Sequence, residues 1–93
     1  MADWLVEIDV RLPPELDPAR RAELLEAERV RGRELLAEGS LREIWRLPGR
    51  SANVGVWRAE DATALHAAIA SLPCHPWMQV RVTALALHPL RGG

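Results

Sequence analysis

The chain reads Ser71-Leu72-Pro73-Cys74-His75-Pro76-Trp77-Met78 and continues at once into the alternating segment Gln79-Val80-Arg81-Val82-Thr83-Ala84. Pro73 and Pro76 stop a helix and permit only an extended turn between them. The strand that follows must therefore start at a fixed point, with Trp77 at its entrance. Alternation of side chains predicts this strand over about residues 78–87.

A second pattern lies upstream, in the segment Trp45-Arg46-Leu47-Pro48-Gly49-Arg50-Ser51-Ala52-Asn53-Val54. Pro48-Gly49 marks a turn, and the residues on either side alternate. We therefore predict a hairpin of two strands, over residues 41–47 and 52–58. One face of the first strand is expected to carry Leu41, Trp45 and Leu47. One face of the second strand is expected to carry Asn53, Gly55 and Trp57.

A strand and two helices are predicted in the rest of the chain. Residues 4–12 alternate as a first strand, which Pro13-Pro14 ends. Asp17-Pro18 supplies an N-cap with proline in the first helical turn. This helix is predicted to run to about Glu38, directly before a glycine that is a natural C-terminal stop. Asp61 caps a second helix with apolar residues at helical spacing.

The predicted order is β-α-β-β-α-β, the ferredoxin-like α+β arrangement with an antiparallel sheet and two helices on one face. Two helices cannot cover both faces of the sheet. Leu5, Leu85 and Leu87 would lie on the uncovered face, and apolar groups there imply burial by another subunit. We therefore predict a homo-oligomer, a dimer at least, of the dimeric α+β barrel type.

Composition limits the classes of protein that this chain can be. Its 93 residues, 48% of them hydrophobic, fit a single domain over residues 1–93 and exclude intrinsic disorder. No apolar run approaches the roughly 20 residues of a membrane span, and no leader sequence opens the chain. A cytoplasmic protein without membrane contact is therefore expected. The net charge of −1 argues against a nucleic-acid partner.

The cysteine and histidine residues of the sequence do not predict a metal site. The single cysteine, Cys74, cannot form an internal disulfide, and we interpret it as a small buried apolar residue rather than a nucleophile. The three histidines do not fall at metal-ligand spacings with other donors. No metal and no cofactor are predicted.

The long helix carries an acidic residue where its apolar stripe should continue. The stripe runs through Leu24 and Leu25 to Glu28, then to Gly32 one turn later. A carboxylate in apolar surroundings suits a general base that acts near neutral pH. The alternatives are a buried salt bridge to Arg42, Arg46 or Arg81, or exposure at the edge of the stripe.

The hairpin supplies further candidates for a site. Asn53 has an amide that can polarise a substrate carbonyl, although asparagine near a turn is often a cap. Arg46 and Arg50 can hold an acidic substrate, because guanidinium matches a carboxylate in bidentate geometry, or they can be solvated. Trp57 and Trp77 are candidates for a pocket wall as well as for core packing. His75 is a candidate for proton exchange.

Three segments of the sequence resemble the pattern of a known protein family. They are Trp45-Arg46-(x)2-Gly49-(x)3-Asn53, Leu65-His66-(x)5-Leu72-Pro73-(x)2-Pro76-(x)-Met78, and Val82-Thr83-Ala84-Leu85-(x)2-His88-Pro89. With the strand that enters Leu12-Pro13 and a helix containing Ala27-Glu28, they resemble the muconolactone delta-isomerase family from about Trp4 to Pro89.

The resemblance implies a ferredoxin-like subunit that dimerises and assembles further, to a decamer in the family. It implies a cofactor-free isomerase of aromatic catabolism, in the β-ketoadipate pathway, that converts muconolactone into 3-oxoadipate enol-lactone. By the same resemblance, Glu28 is the proton-transfer base that abstracts a proton alpha to the lactone carbonyl. Asn53 is the pocket asparagine, and Arg46 is the arginine of the Trp-Arg pair.

The chain also departs from the family pattern. Leu25 stands where lysine is usual, and Ser51, which we count among the substrate-binding candidates, stands where the family has tyrosine. The other departures are Leu5, Arg50, Cys74-His75, Gln79 and Arg81. These changes leave two alternatives open. One is an isomerase, dehalogenase or cyclase that acts on a different lactone or an enolisable ketone, and the other is a non-enzymatic small-molecule-binding oligomer.

Overall fold

A computed structural model describes residues 1–91 of the chain. Its elements are β1 (Ala2–Val10), α1 (Pro18–Glu38), β2 (Leu41–Leu47), β3 (Ala52–Ala59), α2 (Ala62–Ala70) and β4 (Met78–Leu85). The strands form an antiparallel sheet in the order β2-β3-β1-β4. The predicted ferredoxin-like α+β order is therefore confirmed.

Local capping sets both ends of α1 and the start of α2 where the sequence predicted them. The Asp17 carboxylate accepts a hydrogen bond of 3.3 Å from the backbone N–H of Arg20, and Gly39 ends α1 in the left-handed region at φ 85°. The Asp61 carboxylate accepts a shorter bond, 2.8 Å, from the N–H of Ala64. These contacts satisfy backbone groups that a helix end leaves free. Neither helix is long and apolar enough to cross a bilayer.

The core lies between the helices and one face of the sheet. Its buried members come from β1, β2, β3, both helices and the segment after α2, and they are Val6, Ile8, Leu35, Leu41, Trp57, Ala59, Leu65, Ile69 and Leu72. Burial of apolar side chains on a single sheet face is what a two-layer α+β fold requires.

A β-bulge in β2 changes which of its residues face the helices. The register shifts between Leu41, which pairs with Trp57, and Glu43. After the shift, Arg46 pairs with Asn53 on the helix-facing side, whereas Trp45 lies on the other face and is 53% exposed. The prediction that Leu41, Trp45 and Leu47 share one face is therefore wrong, because a bulge inserts an extra residue and reverses the alternation.

Gly55 of β3 lies against this bulge. A Cβ atom at position 55 would come within 2.9 Å of the Glu43 carbonyl oxygen and 3.2 Å of Leu41 Cδ1. Only glycine leaves room for so close an approach of two backbones.

Within residues 1–91, no helix lies over the second face of the sheet. Leu5 and Val56 are paired there and are half-buried, and Leu85 is 41% exposed. Polar partners share this face, including Glu7 paired with Arg81. The strand β4 ends at Leu85 and not at residue 87 as predicted. Leu87 therefore lies beyond the sheet and is 78% exposed.

Candidate active site

A cavity of about 520 Å³ opens between α1 and the part of the sheet formed by β2, β3 and the end of β1. Four residues singled out in the sequence line it: Glu28, Arg46, Ser51 and Asn53. The other lining residues are Val10, Leu12, Arg21, Leu25, Ile44, Trp45, Ala52 and Cys74. Apolar walls with a few convergent polar groups are typical of a small-molecule site.

Glu28 reaches the cavity from the sheet-facing side of α1 and is half-buried. Its Oε1 accepts a hydrogen bond of 2.8 Å from the backbone N–H of Cys74. Within residues 1–91 the Glu28 carboxylate forms no ion pair with an arginine. The fold therefore does not hold Glu28 in a structural salt bridge.

The loop between Pro73 and Pro76 orients the amide that Glu28 accepts. His75 N–H donates to the carbonyl of Leu72 at 3.0 Å, and Trp77 N–H donates to the carbonyl of Cys74 at 2.9 Å. The first bond closes a tight turn over Pro73–Cys74, and the second belongs to a short 3-10 turn over His75–Trp77. The extended turn predicted between the two prolines is therefore wrong, because these local bonds coil the loop. Because both prolines have fixed φ angles, the loop holds the Cys74 amide in place beside the carboxylate.

The thiol of Cys74 is buried, with 1% of the residue exposed. Removal from water, together with the negative charge of Glu28 and a hydrogen bond to it, raises the pKa of the Cys74 thiol to about 12. The thiol is thus neutral near pH 7, in agreement with its interpretation as a small buried residue. A neutral thiol is a poor nucleophile.

Asn53 enters the cavity from β3. It pairs with Ile8 of β1, so it lies on the face of the sheet that the helices cover. Its Oδ1 is buried and has no hydrogen-bond partner among the described residues. A buried amide without a partner is rare in native proteins. A bound ligand would satisfy it, and a half-turn of the amide presents either oxygen or nitrogen.

Arg46 stands beside Asn53 on the neighbouring strand because of the bulge in β2. It makes no ion pair with a described acidic residue, and it lines the cavity. A carboxylate, an amide and a guanidinium group therefore converge on one space. That combination can remove a proton from a carbon atom and stabilise the negative charge that develops on a nearby oxygen.

The remaining candidates lie elsewhere. Arg50 lines an adjoining basin and forms an ion pair of 3.3 Å with Asp9. Trp57 is a core residue, 2% exposed. Trp77 does not line the cavity, and His75 faces a separate groove, with its ring 6.0 Å from that of His66. The structure does not bring these four side chains to Glu28.

Sequence reasoning missed Arg21, which lines the cavity from the first turns of α1. The signal was present in the spacing, because residues 21, 25 and 28 recur at i, i+4 and i+7 and so share one helix face. Arg21 lies on the same helix face as Glu28, but a cation at the start of an otherwise apolar stripe is typical of a solvated helix end, so the spacing does not distinguish it.

Comparisons with known proteins show the family to which the chain belongs. The sequence profile of a family described as Muconolactone delta-isomerase matches residues 3–91. Muconolactone Delta-isomerase 2 of Acinetobacter lwoffii is 40% identical over 89% of this chain and 86% of its own length. Muconolactone Delta-isomerase of Rhodococcus opacus is 35% identical over 95% of each chain.

The fold is similar as well. A crystal structure of muconolactone isomerase, determined at 3.3 Å resolution, superposes with a TM-score of 0.87 and 34% identity, covering 94% of this chain and 91% of that one. The two chains are therefore similar in both sequence and fold along nearly their full length. The chain therefore belongs to the muconolactone delta-isomerase family of isomerases.

Proposed function

We propose that this isomerase converts muconolactone into 3-oxoadipate enol-lactone in aromatic catabolism, with Glu28 as the general base. One observation carries the proposal: Glu28 and Asn53 line the same cavity, where among residues 1–91 the Glu28 carboxylate has no arginine partner and the Asn53 Oδ1 has no hydrogen-bond partner. A carboxylate and an amide that are not engaged in this way can bind a ligand, and the carboxylate can exchange a proton with it.

The step moves one proton and one double bond. Sequence reasoning expected removal of the proton alpha to the carbonyl. In a lactone whose double bond is conjugated with the carbonyl, however, the proton removed lies on the γ ring carbon. The C–H electron pair shifts the double bond and places negative charge on the carbonyl oxygen as a dienolate. Return of the proton to the α carbon gives the isomeric lactone, so no atom or electron is gained or lost.

Each polar group has a role in this step. The Cys74 amide holds Oε1 of Glu28 in place, and the Glu28 carboxylate takes the proton from one carbon and returns it to the other. Asn53 and Arg46, side by side on β3 and β2, bind the oxygen on which charge develops. Donors placed where charge appears in the transition state give large rate enhancements. Ser51 supplies a hydroxyl at the cavity wall.

Turnover of muconolactone, followed by ultraviolet spectroscopy, tests the proposal. Glu28→Gln should lower kcat by about 100- to 10,000-fold, the usual contribution of a general base, and leave the thermal unfolding midpoint nearly unchanged. The control is Glu26→Gln on the same helix, since Glu26 is exposed and, among the residues that the structure describes, is bonded only to Arg29. Equal activity of both variants would remove Glu28 from the mechanism. Absence of turnover by the wild type would remove muconolactone, and turnover of another lactone or enolisable ketone would replace it.

We further propose that the protein works as a homo-oligomer, a dimer at least and a decamer by family resemblance, in the cytoplasm. The support is the sheet face without a helix, where Leu5, Val56 and Leu85 stand among charged groups. Pairing of two such faces would bury apolar surface that a monomer leaves in water. The reduced Cys74 suits a reducing compartment.

Light scattering coupled to size exclusion tests the oligomer. Leu5→Glu places a charge at the centre of the uncovered face and should shift the protein toward monomer. Ala19→Glu, on the exposed first turn of α1, is the control and should keep the wild-type mass. A monomeric wild type would contradict the proposal.

A further inference from the structure

A second basin adjoins the cavity that holds Glu28. Its volume is about 420 Å³, and it is lined by Asp9, Val10, Arg11, Leu12, Arg21, Arg50 and Ser51. Four of these residues, Val10, Leu12, Arg21 and Ser51, line both spaces. The two spaces are thus parts of one elongated pocket, and Arg21 is the only cation among the four shared residues.

Arg21 is free to bind a ligand. Most helix arginines are paired with neighbouring carboxylates: Arg20 with Glu23, Arg29 with Glu26, and Arg31 with Glu34 and Glu38. Arg21 forms no ion pair and no side-chain hydrogen bond with any residue of the described range 1–91. Its charge nevertheless reaches the cavity, since it acts on the Cys74 thiol and partly opposes the rise in pKa caused by burial.

The other arginines of the pocket are less suited to binding a ligand at the junction of the two spaces. Arg50 is engaged with Asp9 at 3.3 Å. Arg46 lines only the first space, beside Asn53, and Arg11 lines only the second. The seven residues from Arg21 to Glu28 correspond to about 10 Å along the helix axis. A small ring at Glu28 whose acidic side arm runs along α1 toward its N-terminus would bring that arm to the Arg21 side of the pocket.

We propose that Arg21 binds the carboxylate of the substrate at the junction of the two spaces, and that it selects lactones bearing an acidic side arm over neutral lactones. This inference rests on the proposed function and adds a residue to it. The guanidinium group matches a carboxylate with two parallel hydrogen bonds. The lactone ring then lies between Glu28 and Asn53, while the acidic arm points along α1 toward its N-terminus.

The kinetic test compares muconolactone with its methyl ester. Arg21→Gln should raise KM for the acid by about 10- to 100-fold, as expected for loss of a hydrogen bond between charged groups, with kcat nearly unchanged and KM for the ester unaffected. The control Arg20→Gln removes the neighbouring arginine, which faces Glu23 and not the pocket, and should change neither KM. Equal effects of Arg21→Gln on acid and ester, or no effect on either, would overturn the role of Arg21.

A binding measurement separates this inference from the proposed reaction. The saturated lactone that carries the same acetate arm cannot isomerise, and its affinity can be measured by calorimetry even if no substrate is turned over. Weaker binding to Arg21→Gln but not to Arg20→Gln supports the inference. Equal affinity of the two variants, or no binding to the wild type, overturns it. Failure of turnover with intact, Arg21-dependent binding would instead remove the proposed reaction.

Discussion

The backbone N–H of Cys74 and Oε1 of Glu28 are joined by a hydrogen bond of 2.8 Å across 46 residues of sequence. The bond ties the proline loop before β4 to the middle of α1, so a backbone group orients the carboxylate. A charge-assisted bond of this kind is stronger than a neutral one. The general base proposed here is therefore positioned without an arginine partner that would neutralise it.

The Cys74 thiol should make stability depend on pH in the alkaline range. Burial and Glu28 raise its pKa in the folded protein from 9.0 to about 12. Between these values the unfolded chain loses a proton that the folded chain retains, so the free energy of unfolding should fall as pH rises above 9, by up to about 1.4 kcal/mol per pH unit. The chain has no tyrosine and no lysine, so no other side chain titrates there.

Chemical denaturation at pH 8 to 11 measures this slope. The control is Cys74→Ala, which keeps the amide that Glu28 accepts and should show a much flatter dependence between the same pH values. If wild type and variant lose stability with the same slope, the thiol is not the group responsible.

Asn53→Ala should separate activity from stability. Because the Asn53 Oδ1 has no partner among the described residues, its removal breaks no hydrogen bond that supports the fold. Loss of a group that stabilises a developing oxyanion lowers kcat by roughly 100- to 1,000-fold. Kinetics and thermal unfolding on the same sample check the prediction, and unchanged kcat would place Asn53 outside the chemistry.

Gly55→Ala should destabilise the protein by about 1–3 kcal/mol, as overpacking does. The new Cβ would lie 2.9 Å from the Glu43 carbonyl oxygen, and a backbone atom inside a bulge cannot move aside easily. Gly32→Ala is the matched comparison, because the described part of the chain places no neighbouring atom within 4 Å of its Cβ position. In the interior of α1 that change should stabilise by up to about 1 kcal/mol. Urea unfolding should therefore shift in opposite directions for the two variants.

The cap of α2 should contribute measurably to stability. Asp61→Ala removes the acceptor of the 2.8 Å bond from Ala64 N–H and should lower the free energy of unfolding by about 1 kcal/mol. Asp61→Asn keeps an acceptor and should stay close to wild type. A loss of equal size in both variants would show that the charge, and not the cap, is what matters.

Much of the site was predictable because its signals are local. Glu28 stands out as a carboxylate on an apolar helix stripe, and Asn53 lies on the strand face shared with Gly55 and Trp57, which the helices cover. Trp57, by contrast, was a candidate for the pocket wall and lies in the core. One strand face can hold both a cavity residue and a core residue, and alternation does not distinguish between them.

The sequence alone determines the order of the elements, the capped helix ends and the position of Glu28 on the sheet-facing side of α1. These features follow from periodicity, caps and turn residues, and each of these signals lies within a few positions of the chain. Three features required the folded chain. They are the bulge that turns Arg46 toward Asn53, the Cys74 amide that holds Glu28, and the place of Arg21 between two spaces. These depend on contacts between segments far apart in sequence, where backbone geometry and packing settle what a local pattern leaves open.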